Sequence, residues 1–175
     1  MVDPATTQRW MHYGLFAAVA GAILFVLILP LSTTPQKIPG PDLLVCLAFA
    51  WVQRRPDYLP PVLLAAVLLI ADFLLMRPPG LWAILTLLGA EFLRTRHQGS
   101  GEMPFPAEWG FVAVVVLLMA LINWMVLGIM VVPHHDLPSA LIRAVMTIIA
   151  YPLIVLLTRQ VFNIRRTGTG DLEPR

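Results

Sequence analysis

The sequence predicts an all-α, polytopic membrane protein with six transmembrane helices, two of them short. Three observations predict it. Hydrophobic residues make up 58% of the 175 residues and charged residues only 13%, about half the charged share of a soluble domain. The apolar residues fall in six runs cut by polar, mostly proline-bearing joints. Arginines gather at alternate joints, the pattern of a chain that keeps its basic loops on one side of a bilayer. A mean hydropathy of +0.79 is more than a water-soluble fold of this size can cover, so the solvent is largely lipid.

The first run, Met11–Leu31, is longer than the apolar core of a signal peptide, and no small-residue cleavage site follows Ser32, so it is expected to stay as an anchor. Gly14, Ala18 and Ala22, with Ala17 and Gly21, form small-xxx-small series that let helices approach closely, either inside the protein or against a partner. The second run, Asp42–Val52, is short, and Asp42 stands where a helix cap is wanted. The joint Gln53–Tyr58 follows. Asp57, ahead of Pro60 and Pro61, is expected to cap the third run, Leu59–Met76. The joint Arg77–Gly80 leads to the fourth run, Leu81–Leu93, and Arg94–Glu108 reads as a polar loop. The fifth run, Trp109–Val132, carries Asn123 near its middle. The sixth, Pro138–Phe162, is expected to be capped by Asp136 and bent at Pro152, which lacks the N–H a straight helix needs. Trp82 and Trp109 stand near run ends, where interfacial aromatics gather.

A spanning helix needs roughly 20 residues. The second and fourth runs therefore thin the membrane, lean on partner helices or re-enter. Charge placement decides for six spans. With the N-terminus in the cytoplasm, nine arginines (9, 54, 55, 94, 96, 159, 165, 166 and 175) lie inside, and Lys37 and Arg77 lie outside. Residues 1–162 then form one transmembrane domain, and 163–175 a disordered cytoplasmic tail.

Residues able to carry chemistry are few. Asp72 sits within the third run, where an unpaired carboxylate costs several kcal/mol. Its partner is either Arg143, inside the sixth run, or Arg77 nearby in sequence. Glu91 is placed to pair with Arg94 three residues on, or with Arg55 or Arg159. Asn123 is expected to hydrogen-bond to a neighbouring helix. Adjacent His134 and His135 are poorly placed to share a metal. Cys46, the single cysteine, reads as a buried, inert thiol. No HExxH, P-loop, GxSxG or CxxC motif is present, so no catalytic group, metal or cofactor is expected. A net charge of +2 spread over run ends argues against nucleic acid.

Pro41-Asp42-Leu43-Leu44, Trp51 with Arg54-Arg55-Pro56-Asp57, and Ala71-Asp72-Phe73-Leu74 followed by Pro79-Gly80-Leu81-Trp82 carry a family resemblance. This central stretch, Pro41–Arg96, resembles MreD, the rod-shape-determining membrane protein family, in its alphaproteobacterial form. The resemblance implies a non-enzymatic inner-membrane component of the cell-elongation and peptidoglycan-synthesis machinery. It would act with MreC, and through it with RodA, RodA's transpeptidase partner and the MreB cytoskeleton. It also implies likeness to the six-helix substrate-binding subunits of vitamin importers. Three functions are thus in play: a membrane scaffold, a solute-binding or transport subunit using the intramembrane acids, and an enzyme on a lipid-linked precursor. The last lacks a visible nucleophile or metal site.

Overall fold

The computed structural model describes residues 4–29, 39–54, 56–99, 104–130 and 136–161. Six α-helices build it: α1 Pro4–Ile28, α2 Leu43–Arg54, α3 Pro61–Leu74, α4 Leu81–Gly99, α5 Phe105–Ile129 and α6 Leu137–Val161, with a 3-10 turn at Pro56–Tyr58. There is no strand among the described residues. Three helices are each long and apolar enough to cross a membrane: α1 over Arg9–Ile28, α5 over its whole length, and α6 over Leu137–Thr158. The tail 163–175, His134 and His135 lie outside the described residues.

The bundle is arranged around α2. Every residue from Leu44 to Arg54 is buried. Such all-round burial suits a helix that is apolar on every face, and it answers the question of its length. Twelve residues rise only about 18 Å, yet α2 shows its sides to α6, α4 and α1. It leans on partner helices, and the others form the outer wall.

α6 meets α2 through a stripe of Ala144, Thr147, Tyr151, Val155 and Thr158, all buried, spaced three and four residues apart as one helix face requires. α4 packs on α3, α2 and α5. It approaches its neighbours closely at Gly89, where an added Cβ would stand 2.8 Å from Val115 Cγ1 and 3.0 Å from Phe49 Cζ. Glycine here lets three helices share one point of contact.

α1 is peripheral. It touches α2, α3 and the 3-10 turn, burying Phe16, Ala20 and Leu24. Phe16 packs edge-on against Trp51 at 5.4 Å, and His12 stacks on Tyr58 at 4.2 Å. The small-residue series is not an internal packing face. Gly14, Ala17, Ala18, Gly21 and Ala22 are all exposed, because the larger Phe16 and Leu24 offer more apolar area to the core.

Two boundaries differ from the sequence reading. α4 runs on to Gly99, and α5 begins at Phe105, so most of Arg94–Glu108 is helical rather than loop. The charged end of α4 is held. Arg94 pairs with Glu91 at 3.1 Å and donates to the Leu59 carbonyl, and the Arg96 guanidinium lies 5.1 Å from the centre of the Phe111 ring. Prolines at the first turn of α5 supply the favoured φ without losing a needed N–H.

Candidate functional site

The polar groups form two knots and line one cavity. Asp42 is the centre of the first knot. It occupies the N-cap of α2, and its Oδ1 accepts the Val45 N–H at 3.3 Å, the capping bond the sequence predicts. Its Oδ2 accepts from Arg77 Nη1 and from the Trp82 indole N–H, each at 3.1 Å. Its backbone N–H donates to Thr147 Oγ1 at 2.9 Å. Asp42, through its carboxylate and its backbone N–H, thereby joins the start of α2 to the α3–α4 joint, to α4 and to α6. The Cys46 thiol, buried one turn on, donates to the Thr147 carbonyl.

Asp72 does not pair with Arg143, nor does Arg77 take it as partner; Arg77 is bound to Asp42. The Asp72 Oδ2 accepts the N–H groups of Gly80 at 3.0 Å and Ala83 at 3.2 Å. These are N–H groups at the start of α4 that have no carbonyl within the helix. Asp72 therefore caps the next helix from the end of its own, and its charge meets the positive end of α4. The α3 terminus explains how. Met76 N–H bonds to the Phe73 carbonyl and Arg77 N–H to that of Asp72, the paired bonds of a Schellman ending. Met76 takes φ +53° and Gly80 φ +91°, so the chain doubles back within a few residues.

Two further aspartates are expected as caps. Asp136 stands directly before α6, with its backbone carbonyl accepting from Ala140 and its Oδ1 accepting the Ser139 hydroxyl at 2.7 Å. The N-cap position of α3 falls on Pro60 with no side-chain bond; Asp57 lies in the 3-10 turn, and its side chain is outside the described residues. Pro61 at the first helical position has no N–H to satisfy, which reduces what a cap would offer.

The second knot escaped the sequence reading. Glu108 is not in a loop; it is 1% exposed in the first turn of α5. Its Oε1 accepts the Tyr151 hydroxyl at 2.7 Å and lies 3.9 Å from Arg54 Nη2. Tyr151 is 0% and Arg54 6% exposed, so Arg54 is a core cation rather than a joint residue. Two signals were available: Pro104-Phe105-Pro106 marks a helix start before Glu108, and a tyrosine inside an apolar run needs a partner for its hydroxyl.

Pro152 lies inside α6 and leaves the Ile148 carbonyl without its helical donor. The Trp109 indole N–H fills that place at 3.0 Å. Both tryptophans expected at an interface, Trp82 and Trp109, thus donate their N–H groups to other parts of the chain, Trp109 while remaining exposed.

Arg143 and Asn123 come together at a cavity of about 550 Å³ between α5, α6 and the α3–α4 joint. Asn123 does not bond to a neighbouring helix; its side chain makes no hydrogen bond to the described residues and faces the cavity. No group of three or more acids, histidines or cysteines able to hold a metal occurs among the described residues.

These features define a helical protein with three helices long and apolar enough to cross a membrane, knotted by buried polar groups and holding a sizeable pocket. Compared with protein-family models, curated proteins and solved structures, the chain matches none.

Proposed function

We propose that the chain is a six-span, non-enzymatic scaffold of the bacterial cell-elongation machinery, an MreD-like protein of the inner membrane with both termini in the cytoplasm. It binds an MreC partner. Through that partner, or directly, it positions RodA and its transpeptidase, with MreB engaged indirectly. The motifs in Pro41–Arg96 motivate the family reading. The observation that carries the scaffold is the outward face of α1. Gly14 and Gly21 have open space where a Cβ would stand, and with Ala17, Ala18 and Ala22 they make a stripe on which a partner helix can lie close.

The test is co-purification in detergent with MreC, using the full chain and the double variant Ala18→Leu/Gly21→Leu. Both positions are exposed, so the expected result is loss of the complex with unchanged thermal stability. A complex that survives the leucines removes α1 as the docking face. Persistent absence of any complex with the unmodified chain removes the scaffold reading.

A solute-binding subunit is the second reading. The observation in its favour is the cavity beside Asn123 and Arg143. The intramembrane acids do not contribute to it, since Asp72 is spent on α4 and Glu91 on Arg94.

A further inference from the structure

The cavity has the size of a small-molecule site, and its lining has a definite chemistry. Apolar side chains such as Leu75, Met119 and Leu127 form much of it, Trp82 and Trp124 add aromatic surface, and α5 and α6 bring in Asn123 and Arg143. No acid lines it among the described residues. Two arginines do, and they are not equivalent. Arg77 is neutralised by Asp42 at 3.1 Å. The Arg143 guanidinium makes no ion pair and no hydrogen bond with any described residue; its backbone carbonyl alone is engaged, by the Thr147 hydroxyl.

A half-buried guanidinium with no ion-pair partner is costly in a helical bundle. It offers five N–H donors in a planar fork that suits a phosphate or carboxylate. Asn123 adds an amide donor, and the apolar lining suits a hydrocarbon chain. Asp136, bonded to Ser139 at the cavity's edge, disfavours a highly charged anion.

We propose that this cavity is a binding site for a singly charged oxyanion, a phosphate or carboxylate group held by Arg143 with Asn123, whose hydrocarbon part, where it has one, lies along Leu75, Met119 and Leu127. The assignment goes beyond the scaffold reading and does not depend on MreC binding. It names a ligand class for the solute-binding reading.

Two arms test it on the full chain in neutral detergent. In the first, native mass spectrometry follows retention of phosphatidylglycerol against phosphatidylcholine of the same acyl chains, supplied in equal amounts. In the second, inorganic phosphate is titrated against thermal stability after lipid removal. The expected result is one preferentially retained phosphatidylglycerol, with the preference lowered about tenfold in Arg143→Gln and partly restored in Arg143→Lys, as loss of a charge-assisted fork predicts. Asn123→Trp, which fills the cavity and keeps the charge, should lower it as well, and it decides the matter if Arg143→Gln fails to fold.

Stabilisation by inorganic phosphate in the parent and not in the variants, without a lipid preference, identifies a free oxyanion and supports the site. Equal retention of the two lipids together with no phosphate effect overturns it. So does a preference that both variants keep. A complex with MreC that persists while both anions fail removes this site and leaves the scaffold standing.

Discussion

Met76 holds a backbone conformation that its side chain does not favour. Its φ of +53° lies in the left-handed region, and its side chain is 93% exposed, so no packing compensates. The left-handed conformation costs a residue with a Cβ about 1–2 kcal/mol, partly offset by the greater freedom glycine loses on folding. Met76→Gly should therefore raise stability by up to about 1 kcal/mol, read as a higher midpoint in detergent unfolding; a lower midpoint would show that Met76 makes contacts its exposure hides. Glu108 stands at the opposite extreme. Replacing it by alanine strips the Tyr151 hydroxyl of its acceptor and takes an opposite charge from buried Arg54. A loss of about 3–5 kcal/mol is expected, against about 1–3 kcal/mol for Tyr151→Phe, which removes one hydrogen bond. Equal losses would mean that the Arg54 contact contributes nothing. Asp42 shows what a sequence can disclose about a site. Asp42 was legible as a cap because a cap is local, a matter of the residue before a helix. Its bonds to Arg77, Trp82 and Thr147 were not, because they depend on three other elements arriving at the same place.

Helix existence follows from apolar runs, whereas helix ends follow from what holds them. The six runs correspond to the six helices. The end of α4 was misplaced because Arg94 and Arg96 look solvent-seeking until Leu59, Glu91 and Phe111 supply their partners. Contact points between helices have the same character. Gly89 reads as an ordinary glycine in sequence, yet Val115, Phe49 and Met119 crowd it. The nearest atom belongs to a stiff, β-branched valine, so Gly89→Ala should push α4 from α5 and cost about 1–3 kcal/mol. Unfolding midpoints equal to the parent's would mean that the crossing yields without strain. A second contact can be measured by a double-mutant cycle. Trp109→Phe leaves the Ile148 carbonyl unbonded and should cost about 1 kcal/mol. In a Pro152→Ala background the restored N–H at position 152 can satisfy that carbonyl, so the same substitution should cost less. Strict additivity would show that the indole bond and the missing proline N–H are unrelated.

At the scale of the whole molecule, the number of membrane crossings is a prediction that labelling checks. Three helices have the length and hydropathy to do so unaided, while α2 and α3, at 12 and 14 residues, rise about 18 and 21 Å against a hydrocarbon core of about 30 Å. The six-span reading gains from the arginine placement. Moving Arg54 into the core withdraws one charge from that argument and leaves the bias large. Burial of α2 supports it too, since a helix sheltered by its neighbours need not match the bilayer thickness by itself. Positions 40 and 95 separate the alternatives. Between them lie α2, α3 and α4. If all three cross, the two positions face opposite sides; if only α1, α5 and α6 cross, they face the same side. Gly40 is exposed with open space around it, Thr95 is exposed near the end of α4, and native Cys46 is buried against the Thr147 carbonyl. Gly40→Cys and Thr95→Cys, made singly, thus give labelling with little background. A membrane-impermeant maleimide applied to intact spheroplasts should modify Gly40→Cys at once and Thr95→Cys only after permeabilisation. Modification of both from outside would reduce the crossings to an odd number before α5 and remove the cytoplasmic placement of both termini. The reverse pattern would keep six spans and invert them, putting the arginine-rich end of the bundle on the side that the positive-inside rule disfavours.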